Sequence, residues 1–133
     1  MLSALQTALQ TLTRLPAGSP LAPPSEALLA RSAMFYPLVG ALLGATGWAI
    51  HAALGALLPR PFVAALILSA WALLTGALHE DGLADTADAL GSQSSRDDIL
   101  LVMKDSRIGS YGALALILAT LLRWQGLAHV PKE

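Results

Sequence analysis

The sequence has 133 residues, is 55% hydrophobic and only 13% charged, and has a mean hydropathy of +0.61. A formal net charge of −1 argues against a nucleic-acid surface, and the lack of cysteine excludes disulfides, thiolate nucleophiles and Cys-ligated zinc. Soluble domains carry about 25% charged residues. One domain fits the length, and low charge with long apolar runs points to an α-helical membrane protein rather than a soluble helical bundle.

Residues 1–15, "MLSALQTALQTLTRL", repeat Leu2, Leu5, Leu9 and Leu12 at helical spacing, with Gln6, Gln10, Thr13 and Arg14 mostly opposite. The spacing predicts an amphipathic helix, either packed on a core or lying in the membrane interface. No Lys or Arg precedes the apolar residues, so a secretory signal peptide is not expected. Residues 16–25, "PAGSPLAPPS", hold four prolines and read as a loop. A short helix is expected to begin at "SEALLARSAMFY", with Ser25 as its cap.

Pro37 to Leu58 is a 22-residue stretch with no formal charge, enough for a bilayer core that needs about 20. Gly40, Gly44 and Gly47 within it form a small-residue face suited to close helix packing. "PRP" at 59–61 reads as a tight turn, and Phe62 to Leu78 is a second apolar run of 17 residues. A third run starts at Ile108 and reaches span length only by continuing past Arg123 and Trp124 to about Val130. The expected organisation is a single membrane domain. It comprises an amphipathic helix and Pro-rich loop (1–33), two spans (34–78), an acidic segment (79–107) and a third span (108–130).

Seven of the nine acidic residues lie between positions 80 and 105. If 78–91 is helical, Asp81, Asp85 and Asp88 stand at i, i+4 and i+7, within about 60° of one another. Like charges at such spacing destabilise a helix by a few tenths of a kcal/mol per pair. A divalent cation would compensate, and Mg²⁺, which prefers oxygen ligands shared with substrate phosphates, suits carboxylates. A calcium loop does not fit, because Gly82 directly follows Asp81; zinc does not fit, because His79 has no second His or Cys nearby. The bland alternative is a solvated loop with a helix cap. Ionisable groups beside spans more often serve function.

Downstream, "MKDSRIGSYG" (103–112) places Lys104 and Arg107 beside Asp105 and Ser106. These residues read either as a basic juxtamembrane anchor or as a phosphate clamp of Lys104, Ser106 and Arg107. Gly109 and Gly112 would let backbone approach a ligand closely. Metal-holding carboxylates beside a Lys/Arg pair suit phosphoryl or phosphodiester transfer. Lys and Arg counts set Arg14, Arg31, Arg96, Lys104 and Arg107 on the side of the acidic segment, and Arg60, Arg123 and Lys132 on the other. That excess places the acidic segment in the cytoplasm.

"LTRLP" (12–16), "FYPLVGALLG" (35–44), "LHEDGLADTADALGS" (78–92) and "MKDSRIGSYGALAL" (103–116) together resemble the cobalamin synthase family, the adenosylcobinamide-GDP ribazoletransferases. The resemblance implies a Mg²⁺-dependent enzyme of the bacterial cytoplasmic (inner) membrane. Such enzymes join adenosylcobinamide-GDP to α-ribazole or its 5′-phosphate and release GMP. It implies a metal site at Asp81, Asp85 and Asp88, with Glu80 ranked below them, and Lys104 and Arg107 on the transferred phosphoryl group. Asp105 or Asp88 would accept the proton of the attacking ribose hydroxyl. Family members are longer, so the chain is expected to be an N-terminal part whose missing packing a homo-oligomer would have to replace. Rival readings are an enzyme of CDP-alcohol phosphotransferase or prenyl-transferase type, or a non-catalytic membrane subunit or channel. Trp48, Trp71 and Trp124 read either as contacts to a large ring or as interface anchors.

Overall fold

The computed structural model describes residues 1–18, 23–91, 99 and 107–129, and all regular structure among them is helical. The elements are α1 (Leu2–Leu12), α2 (Glu26–Ser32), a 3₁₀ turn (Ala33–Phe35), α3 (Tyr36–Leu54), α4 (Arg60–Thr75), α5 (Leu78–Gly91) and α6 (Ser110–Ala128). They fall into two compact units, Met1–Gly76 and Ala77–Glu133.

In the first unit, α1 buries Ala4, Thr7 and Ala8, while Leu2 stays exposed. The leucine stripe foreseen from the sequence is therefore not the face packed closest. Small side chains let α1 come close to α2 and α3, and the Thr7 hydroxyl is satisfied by donating to the Ser3 carbonyl at 2.8 Å. Thr13 ends the helix in extended conformation, its hydroxyl donating to the Leu9 carbonyl at 2.7 Å. Ser25 caps α2, accepting from the Leu28 amide at 3.3 Å, as foreseen.

From α2 through the 3₁₀ turn to the end of α3, Glu26–Leu54 forms 29 residues long and apolar enough to cross a membrane. Helix α4 then returns antiparallel along α3, with the Trp71 indole donating to the Leu43 carbonyl at 2.8 Å and Ile67 beside Gly47. Val63, Ala64 and Ile67 on α4, with Val39 and Gly47 on α3, form the buried seam. A Cβ on Gly47 would lie 2.8 Å from the Trp71 ring, whereas Gly40 and Gly44 have nothing within 4 Å. The small-residue face thus works at Gly47 alone. The seam follows Val39, Leu43 and Gly47 at i, i+4 and i+8, and Gly40 and Gly44 fall to its flank. Trp71 thus braces the two helices.

The "PRP" segment also differs from expectation. Pro59 is the N-cap of α4, and Arg60 and Pro61 already belong to its first turn. Proline is tolerated there because its missing N–H would have had no intrahelical acceptor. At the other end Gly76 closes α4 at φ 67°, and Ala77 follows at φ 59°. Left-handed backbone costs a residue with Cβ about 1–2 kcal/mol, so glycine suits the first position and Ala77 carries strain. The Arg14 amide donates to the Leu74 carbonyl at 2.7 Å and the Arg14 side chain covers Gly76, which explains "LTRLP" locally. With 16 residues, α4 is short of a span and reaches one only if counted with α5 as a single broken helix.

In the second unit, α5 and α6 pack against each other as an antiparallel hairpin. Ala84 and Ala89 on α5, with Gly112 and Ala128 on α6, are its buried small residues. The 19-residue α6 continues past Arg123 and Trp124, as its sequence requires, and is the second helix long and apolar enough to cross a membrane. The protein is all-α, and among the described residues there are two such helices, or three with the broken pair.

Candidate active site

The acidic helix foreseen for 78–91 is present as α5, and α6 sorts its carboxylates into two groups. Glu80, Ala84 and Asp88 recur at i, i+4 and i+8, and this stripe meets α6. Asp81 and Asp85 are each displaced by about 100° from the preceding stripe residue, onto the flank.

Glu80 accepts from Arg123 at 2.5 Å, a pair only partly shielded from solvent, with 23% and 46% of the side chains exposed. Glu80, ranked below the three aspartates as a metal ligand, ties α5 to α6. Arg123, counted on the opposite side of the membrane from the acidic segment, sits level with its first turn. The reason is the antiparallel hairpin, which lays α5 along α6 where an isolated surface segment was foreseen.

Asp88 reaches the other end of the hairpin. One oxygen accepts from the Gly109 amide at 2.7 Å and the other from the Gly112 amide at 2.8 Å. Gly109 and Gly112 were expected to admit a ligand; the group they admit here is the carboxylate of Asp88. Nearby, the Tyr111 ring lies against Gly91. Arg107 is exposed two residues before Gly109. Lys104, Asp105 and Ser106 lie outside the described residues.

Among the described residues, no group of three or more His, Asp or Glu side chains gathers to hold a metal, so Asp81, Asp85 and Asp88 are not brought together as a trio. The turn of Asp88 toward α6 separates it from the other two. Asp81 is exposed and Asp85 half-buried, and neither side chain has a hydrogen bond or ion pair among the described residues. Oxygen-only donors one turn apart fit a hard cation such as Mg²⁺, which typically takes one or two carboxylates and completes its shell with water and phosphate. A signal for the role of Asp88 was legible in "RIGSYG": a helix starting at Gly109 has no side chain with which to cap itself.

The family profile described as Cobalamin-5-phosphate synthase matches residues 4–133. A Bradyrhizobium diazoefficiens protein named adenosylcobinamide-GDP ribazoletransferase is 46% identical over 127 residues, covering 95% of this chain and 48% of its own length. A Pseudomonas fluorescens protein of the same name is 48% identical over 127 residues, covering 95% of this chain and 51% of its own. A Brevibacillus brevis protein, also so named, is 41% identical over 130 residues, covering 97% of this chain and 52% of its own. The chain spans about half the length of the curated relatives it matches. No solved structure matches it. A match running from residue 4 to the last residue, on a helical chain with the apolar spans and acidic helix described above, places the chain in the cobalamin-5-phosphate synthase family.

Proposed function

We propose that the protein takes part in joining adenosylcobinamide-GDP to α-ribazole or its 5′-phosphate, with release of GMP, at the bacterial inner membrane. The observation that carries this reading is a pair of carboxylates on α5, Asp81 and Asp85, whose side chains have no partner among the described residues, in a chain matched to its family from residue 4 to 133. In this reading the two aspartates hold Mg²⁺, whose charge would neutralise the diphosphate of the activated substrate and the departing GMP. Arg107 carries a fixed positive charge and a planar fork of donors suited to phosphate oxygens. Lys104 and Ser106 would add donors beside it, and Asp105 would take the proton of the ribose hydroxyl. Charge placed in advance where negative charge develops is the main contribution protein groups make to such transfers.

Orientation is part of the proposal: nucleotide and ribazole are cytosolic, so Asp81 and Asp85 must be reached from the cytoplasm. The test is to incubate membranes containing the protein with adenosylcobinamide-GDP, α-ribazole and Mg²⁺. GMP and a cobalamin product are expected, both dependent on Mg²⁺. Membranes that hold the protein and form neither product refute the reading.

A further inference from the structure

The first turn of α6 has no cap of its own. Gly109 stands at the N-cap position and has no side chain with which to accept from the amides that open the helix. Such amides lack intrahelical acceptors and need a partner. Two of them find it far away in sequence, where the Asp88 carboxylate accepts from Gly109 at 2.7 Å and from Gly112 at 2.8 Å. The same carboxylate meets the positive end of the helix dipole.

Steric fit is a second, independent sign that this contact is built in. A Cβ at Gly109 would stand 2.8 Å from the carboxyl carbon of Asp88, and a Cβ at Gly112 would stand 3.0 Å from it and 2.9 Å from the Ala84 carbonyl. Only glycine at both positions lets the start of α6 come this close to α5.

We infer that Asp88 is a positioning residue and not a member of the metal-holding set. It ties the first turn of α6 to α5. The tie sets Arg107, two residues before Gly109, in relation to Asp85 and Asp81, about one and two turns earlier on α5. The inference rests on the reading of Asp81 and Asp85 given above, and it narrows the site to those two carboxylates. Asp88 acts through the backbone it holds, so its loss should change the rate without changing how much Mg²⁺ the protein needs.

Two measurements on the membrane-reconstituted protein test this. The first is hydrogen exchange at the Gly109 and Gly112 amides, which needs no activity. Both should be protected in the wild type and exchange at least about tenfold faster in Asp88→Ala, since an amide without its acceptor opens freely. Where Asp88→Ala does not accumulate, Asp88→Asn, which keeps the size and one acceptor oxygen, serves instead and should release one of the two amides. Unchanged exchange in the variant overturns the tie.

The second measurement is a Mg²⁺ titration of activity. Asp88→Asn and Gly112→Ala should each lower kcat by about tenfold to a hundredfold, as misplacement of distant groups does. The Mg²⁺ concentration for half-maximal activity should stay where it is in the wild type. The double variant should be no worse than the poorer single one, because both changes break one contact. An Asp88→Asn protein whose Mg²⁺ requirement rises about tenfold or more, the size of effect that residues of a metal site have, overturns the inference. A wild-type protein with protected amides but no cobalamin product upholds the tie and removes the proposed reaction instead.

Discussion

The two compact units hold their helices together by different means. In Met1–Gly76 the close contact between α3 and α4 is made by Val39, Val63, Ala64 and Ile67 around Gly47. The polar tie there is neutral, an indole N–H of Trp71 on the Leu43 carbonyl. In Ala77–Glu133 the ends of the hairpin are joined by charged groups, Glu80 to Arg123 and Asp88 to the start of α6. Between lipid tails the hydrophobic effect does not draw helices together; shape fit and hydrogen bonds do. The first unit relies mainly on fit and the second mainly on charge. Carboxylates in the second unit therefore divide into two that hold the hairpin, Glu80 and Asp88, and two, Asp81 and Asp85, whose side chains have no partner among the described residues and which we propose face a ligand.

The largest expected effect separates those two uses of carboxylate. Asp81→Asn should reduce cobalamin formation on the order of a hundredfold or more and raise the Mg²⁺ requirement, because a charge that stabilises the transition state is worth several kcal/mol. Thermal stability of the variant should be unchanged or slightly raised, since one repulsive i, i+4 pair with Asp85 disappears. Full activity with an unaltered Mg²⁺ requirement would falsify the ligand role. The comparison would then reduce to two ways of packing helices.

Smaller in effect is a probe of fit in the first unit. Gly47→Leu drives a side chain into Trp71 and Ile67, and overpacking of this kind costs about 1–3 kcal/mol. Gly44→Leu places the same side chain where nothing lies within 4 Å, and should change stability by less than about 0.5 kcal/mol. Thermal unfolding in detergent distinguishes them. Equal losses would mean that Gly44 is packed against something as well.

The smallest effect concerns the ion pair. With Glu80 and Arg123 partly exposed, Glu80→Gln should cost at most about 1 kcal/mol of stability and leave the Mg²⁺ requirement unchanged. A double-mutant cycle with Arg123→Gln measures the coupling directly. A coupling of several kcal/mol would show that the pair sits in a dry, low-dielectric environment and is a main support of the hairpin.

Much of the helical layout was open to a reading of residues in order. The helix start at Ser25, the apolar helix after Gly109 and the acidic helix around Asp81 and Asp85 all depend on interactions within a few residues, whereas the stop at Gly76 falls inside the apolar run read as Phe62 to Leu78. Other features were not open to such a reading. The leucine repeat of α1 left open whether its leucines face a core or the membrane interface, and the closest approach to the neighbouring helices runs over Ala4, Thr7 and Ala8. In the same way, three glycines on α3 suggested one packed face, yet among the described residues Gly47 meets a neighbour and Gly40 and Gly44 do not.

Composition, hydropathy and helical spacing are properties of neighbouring residues, and from them the sequence alone determined an all-α membrane protein with its acidic residues gathered on one helix. Which carboxylate does what was decided only by the hairpin. Asp88 and Gly109 are 21 positions apart and Glu80 and Arg123 are 43 apart, distances over which local periodicity carries no information. Once α6 lies along α5, its first turn and its single arginine engage two of the four acidic side chains on α5, Asp88 and Glu80, while the side chains of Asp81 and Asp85 have no partner among the described residues.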